Sequence, residues 1–130
     1  MKTLLPPGWP RPKGYANGIS ARGRTIFTAG VVGWDEEERF AAQDLVGQFR
    51  QILRNTLAIL AEGGAGPEHI VRMTWYVTDR SDYIANLREI GAVYRELIGK
   101  HYPAMAVVIV AGLVEPAAKI EIETTAMVPE

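Results

Sequence analysis

The sequence predicts a single α+β domain with its elements in the order β-β-α-β-α-β-β. Two observations carry this. Two long segments place apolar residues at helical spacing, and shorter apolar or alternating segments flank them, with glycine and proline at the joins. The chain of 130 residues has the length of one domain, here 1–130. Its 48% hydrophobic and 22% charged content is that of a folded globular protein.

Residues 1–14 predict an extended N-terminal strap, because Pro6, Pro7, Pro10 and Pro12 exclude helix and sheet interior, and Trp9 is its candidate anchor. A strand over Tyr15 to Ala21, a turn at Gly23 and a strand over Thr25 to Val32 read as a hairpin. Leu45, Phe49, Ile52, Leu53, Leu57 and Leu60 recur at helical spacing, which predicts an amphipathic helix over 42–62 ended by Gly63 and Gly64. A strand over His69 to Thr78 follows, with Val71, Met73, Trp75 and Val77 as its apolar face. Tyr83, Leu87, Ile90, Tyr94, Leu97 and Ile98 predict one second helix, stopped by Gly99. Ala104 to Leu113 and Lys119 to Val128 complete the set, linked by a turn containing Pro116. Strands on either side of each helix are expected to pair in parallel through a right-handed crossover.

Ala104 to Leu113 is apolar on both faces. Two helices cover only one face of such a sheet, and a large wet apolar patch is unusual in a monomer. The expected cover is other copies of the chain in a symmetric oligomer; the alternative is the N-terminal strap.

The chemistry legible from composition is sparse. A formal net charge of -1 gives no global field for nucleic acid, and basic clusters with interleaved aromatics are absent, so nucleic acid is not an expected partner. The sequence has no cysteine, hence no disulfide or thiolate site. No metal is expected: the two histidines, His69 and His101, fall at a strand start and past a helix end, where the helix dipole alone accounts for His101. The glycine-rich segment at 63–66 lacks a phosphate loop's lysine and hydroxyl, and no nucleophile elbow occurs. The start of the chain does not read as a signal peptide, and no apolar run is long enough to span a bilayer, so a cytoplasmic protein without a membrane partner is expected. One motif stands out. Glu121 and Glu123 are two apart on a predicted strand and share a face. They are either a solvated pair or a carboxylate at an oligomer groove that acts as general acid or base.

The segments GYANGI, TAG, HIVRMTWYVTD, YPAMAVVIV and KIEIE together resemble the Rid (YjgF/RidA) family over nearly the whole chain. The resemblance implies a fold like bacillus-type chorismate mutase, a mixed sheet with two helices on one face. It also implies a homotrimer whose sheets form a barrel, with sites in the clefts between subunits. Active members deaminate 2-imino or 2-enamino acids to 2-keto acids and ammonia and use no cofactor. By resemblance Tyr15, which otherwise reads as a loop packing residue, orients substrate, and Glu121 positions water. Gly30 matches a site glycine, and Ala29 stands where the family has serine. Ala104 and Met105 occupy a PAM segment where deaminases carry PAR, whose guanidinium holds the substrate carboxylate. Methionine cannot donate in its place; Arg72, Arg24 and Lys119 are the candidate substitutes. Three functions are compatible with this pattern: a hydrolase with altered substrate preference, a non-catalytic small-molecule-binding or stress-response trimer, and an endoribonuclease or translation inhibitor.

Overall fold

A computed structural model describes residues 1–130. Its elements are β1 (Lys2–Leu4), β2 (Gly18–Ser20), β3 (Arg24–Phe27), β4 (Val31–Val32), α1 (Leu45–Glu62), β5 (Ile70–Val77), α2 (Arg80–Ala85), α3 (Leu87–Leu97), β6 (Ala104–Ile109) and β7 (Ile120–Val128). The main sheet runs β3-β7-β5-β6, with β4 also paired to β7. β5 and β6 are parallel, joined through α2 and α3 as a crossover requires. The crossover around α1 is different from the expectation. β7 inserts between β3 and β5, antiparallel to both, so the strands flanking α1 do not pair directly.

The expected N-terminal hairpin does not form. β2 pairs antiparallel with β1, Thr3 opposite Ile19, so part of the strap is itself a strand. β3 turns instead to β7, where Ile26 faces Ala126. The single strand expected over 25–32 is interrupted after Phe27. There the Thr28 hydroxyl donates to the Ala29 carbonyl at 2.8 Å and accepts from the Thr124 N–H at 3.0 Å. A side chain thus replaces a ladder bond and lets the chain bend.

α1 begins at Asp44, whose carboxylate accepts from the Gly47 N–H at 3.1 Å. It buries Leu45, Phe49, Ile52, Leu53 and Leu60 against the sheet. Gln48 is buried with them because every polar atom is used: its amide donates to the Ala42 and Ala117 carbonyls and accepts from the Lys119 N–H at 2.8 Å. It thereby pins the start of β7 to α1. The second helix is two. Asn86 donates to the Asp82 carbonyl and carboxylate at 2.8 and 2.9 Å, and this competition for backbone groups breaks the helix between α2 and α3. α3 buries Ile90, Val93 and Tyr94; Val93 lies outside the periodic stripe read from the sequence.

The helices cover one sheet face. Met73, Trp75 and Val77 of β5 and Ile120, Ile122, Thr124 and Ala126 of β7 point into that core. Ile70 joins them, contrary to the alternation, because a bulge between Ile70 and Arg72 shifts the register. The other face has no cover within the chain. It carries Arg72, Thr74 and Tyr76 of β5 and Glu121, Glu123 and Thr125 of β7, with Phe27, 74% exposed, at one margin and Val108 at the other. β6 is shorter than expected, ending at Ile109, and its residues divide between the faces: Met105 and Val107 are in register with Met73 and Trp75, and Ala106 and Val108 with Thr74 and Tyr76. The uncovered face is therefore polar along its middle and apolar at its edges.

Candidate functional site

The expected site residues fall into two groups on opposite faces of the sheet. The first group is built at the head of β6. The Ala16 N–H donates to the Pro103 carbonyl at 2.9 Å, and Ala16 bridges Ala104 in parallel. Ala16 is buried, so this bridge fixes the preceding residues. It brings Tyr15 beside Met105 in the wall of one cavity of about 440 Å³. Ala104 itself faces away from that cavity, in register with Arg72.

The cavity floor is Trp75, Met105 and Val107 of the sheet, and one side is α2 and α3. Its aromatic wall is continuous. Phe49 packs behind Trp75 with ring centroids 4.9 Å apart, Trp75 meets Tyr94 at 6.5 Å, and Tyr94 stacks on Tyr102 at 5.4 Å with an interplanar angle of 11°. The Tyr94 hydroxyl donates to the His101 carbonyl, which holds the stack against the turn before β6. Burial pushes the Tyr94 hydroxyl well above the ordinary tyrosine range, and burial also raises Tyr83. The Trp75 indole N–H is buried without an acceptor in the chain.

The second group lies on the uncovered face. Glu121 sits opposite Val32 on β4 and Tyr76 on β5. Its carboxylate lies directly over Gly30: a Cβ added to Gly30 would come 2.2 Å from Glu121 Oε2. Only glycine leaves that space, so the loop between β3 and β4 seats the carboxylate. Tyr76 donates to Glu123 at 2.8 Å, which leaves Glu121 as the unengaged carboxylate of the pair. The Tyr76 hydroxyl is raised, first by that hydrogen bond, then by desolvation and by the charges of Glu123 and Glu121. Ala29 and Gly30 line a separate hollow with Trp34 and Asn55.

Gly30→Ala tests this seat. The crowded atoms are the end of a flexible side chain, so the fold should tolerate the change within about 0.5 kcal/mol while the Glu121 carboxylate moves. An unchanged thermal midpoint beside a displaced Glu121 carboxylate in the variant's crystal structure is the expected result; an unchanged position for Glu121 would contradict it.

No principal cavity has both Met105 and Glu121 in its wall. The substitute cations expected from sequence are not at Met105 either. Arg72 is on the opposite face, Arg24 reaches toward Gly64, and the Lys119 backbone is held by Gln48. The cations that do line the Met105 cavity are Lys13 and Arg95. The sequence offered one signal for this: Arg95 follows Tyr94 of the apolar stripe, so it sits at that stripe's border.

The fold and cavity define a small α+β domain with an aromatic-lined pocket on the helix side of its sheet. The sequence matches the family described as Endoribonuclease L-PSP over residues 10–128. It is 30% identical to a RutC family protein of Synechocystis, covering 99% of this chain and 98% of that one. It is also 30% identical to TdcF of Escherichia coli K12, provisionally named a reactive intermediate deaminase, covering 98% and 95%. Among solved structures, Yersinia pestis YyfB, a Rid-family protein described as of unknown function, superposes with a TM-score of 0.86 at 31% identity, covering 98% of each chain. Escherichia coli TdcF, solved with bound serine, superposes at 0.69 with 28% identity, covering 98% and 99%. The chain belongs to the Rid (YjgF) family. No helix is long and apolar enough to cross a membrane.

Proposed function

We propose that the protein hydrolyses a reactive imine or enamine derived from an amino acid, with a substrate preference altered by Met105. The observation that carries this reading is the Glu121 carboxylate held over Gly30 without a partner of its own. Glu121 takes a proton from water as the oxygen attacks the C=N carbon. That proton passes to the imine nitrogen to give the carbinolamine; Glu121 then relays the hydroxyl proton to the same nitrogen as the C–N bond breaks, the C=O bond forms and ammonia leaves. The name of TdcF, and the serine bound in its structure, support a ligand of amino-acid type. Tyr15 orients the substrate, and Met105 with Val107 gives it an apolar floor where a guanidinium would otherwise stand.

Because Glu121 and Met105 face opposite sides of the sheet, one chain does not bring them to one substrate. The reading therefore includes a homotrimer in which the uncovered face of one subunit meets the Met105 edge of the next. The exposed Phe27, Val108 and Ile109 are apolar area for such a contact.

The test is turnover of 2-imino acids generated in situ by an amino-acid oxidase, in wild type and in Met105→Arg. The variant should gain about ten- to hundredfold on small 2-imino acids through a charge-assisted carboxylate contact. No turnover in either protein would overturn the reading. One observation favours a second reading, a binding protein that does no chemistry: Ala29 and Met105 both lack the groups that deaminases use. A ligand that is bound but never transformed would select it. The net charge of -1 gives the endoribonuclease reading no electrostatic support.

A further inference from the structure

The Met105 cavity has an unusual lining. Its wall contains two cations, Lys13 and Arg95, and no aspartate or glutamate. The rest is mainly aromatic and aliphatic: Tyr15, Trp75, Tyr83, Tyr102, Leu87, Ile90 and Val107 among them. The acid next to Arg95 in sequence, Glu96, is turned away and held by Arg50 through two hydrogen bonds at 2.5 and 3.2 Å. Arg95 itself makes no ion pair. One turn earlier α3 carries Gly91, also in the cavity wall. A Cβ there would press on the Arg95 guanidinium at 3.3 Å. Glycine inside a helix costs about 1 kcal/mol relative to alanine. Here it leaves the guanidinium room to lie along α3 at the cavity.

We propose that this cavity receives a carboxylate attached to a bulky apolar or aromatic body, and that Arg95 of α3 holds the carboxylate, with Lys13 as a second cation from the N-terminal strap. The planar guanidinium fork matches a carboxylate, and the aromatic wall matches the body. The position of the cation explains the size preference. An arginine at 105 would bring the carboxylate down to the cavity floor; Arg95, exposed at the rim, holds it farther out and leaves the floor of Trp75, Met105 and Val107 for a large side chain. The inference deepens the hydrolase reading and rests on it only for the 2-imino acid skeleton; it names the class as 2-imino acids with aromatic or long aliphatic side chains.

Equilibrium binding of stable probes tests it without turnover. Phenylpyruvate carries both carboxylate and ring, phenylacetone replaces the carboxylate by methyl, and pyruvate lacks the ring. Wild type should bind phenylpyruvate more tightly than either of the others. Arg95→Gln should weaken phenylpyruvate about tenfold or more and leave phenylacetone unchanged. Arg88→Gln, on an exposed position of the same helix outside the cavity, should change neither by more than about twofold. Undiminished phenylpyruvate binding in Arg95→Gln overturns the proposal, as does phenylacetone matching phenylpyruvate in wild type or the absence of saturable phenylpyruvate binding. The two readings fail separately. Arg95-dependent binding without turnover of any 2-imino acid removes the hydrolase and keeps the carboxylate site. Turnover whose KM ignores Arg95→Gln removes the site and keeps the hydrolase.

Discussion

Glu121→Gln should lower turnover of a 2-imino acid by about 10²–10⁴-fold, the usual contribution of a positioned general acid or base. The substitution keeps the side chain's shape, so it still fits over Gly30, while the amide neither takes a proton from water nor returns one to the leaving nitrogen. Binding of the keto-acid product should change far less than turnover, because the groups proposed to hold its carboxylate and side chain, Arg95 with Trp75, Met105 and Val107, are left intact. Steady-state kinetics beside product binding separates the two effects. A variant that retains near wild-type turnover would show that Glu121 is not the proton carrier, and the hydrogen-bonded Tyr76–Glu123 pair on the same face would be the next to replace.

Phe49→Ala should destabilise the fold by about 3–5 kcal/mol, read as a lowered denaturant midpoint at constant slope. Phe49 is wholly buried, in the middle of the α1 face that packs on β5 and β7. Its ring also supports Trp75 from behind at 4.9 Å, and Trp75 is the cavity floor. Loss of that support should therefore weaken phenylpyruvate binding in whatever fraction remains folded. A loss below about 1 kcal/mol would mean that α1 and Trp75 close the gap by repacking, and that the floor is softer than its packing implies.

The fold was legible where one periodicity ran long. Leu45 through Leu60 wrote α1 except for its start, which the Asp44 cap sets three residues later than expected, and of the expected apolar face of β5 Met73, Trp75 and Val77 are buried while Val71 is not. What escaped was decided by single polar side chains and by long-range pairing. Asn86 breaks the second helix, and the Thr28 hydroxyl interrupts the strand that becomes β3 and β4. Neither residue departs from the apolar pattern around it, so periodicity alone could not mark them. The choice of β1 rather than β3 as the partner of β2 lies in the register between Lys2 and Ser20, across a segment whose prolines disfavour sheet. The site was half legible. Tyr15 and Met105 do share a cavity, because the Ala16–Pro103 hydrogen bond joins two distant segments. That Glu121 faces away from them is set by long-range register: Met105 and Thr124 both pair with Met73 of β5, whereas Glu121 pairs with Tyr76, which points to the other side. Arg95 was missed because a charged residue beside an amphipathic stripe reads as solvated surface; only Gly91 and the Arg50–Glu96 pair reveal that it is unclaimed.

The separation of Glu121 from the Met105 cavity has a genetic consequence. When the two halves of a site come from neighbouring copies, a lesion in one half and a lesion in the other disable different copies of the same junction. Mixed assemblies of two such defective alleles contain some junctions with both halves intact. If the proposed trimer forms, lesions on the two sheet faces should therefore complement each other within one gene, and the activity should follow the interface rather than the chain.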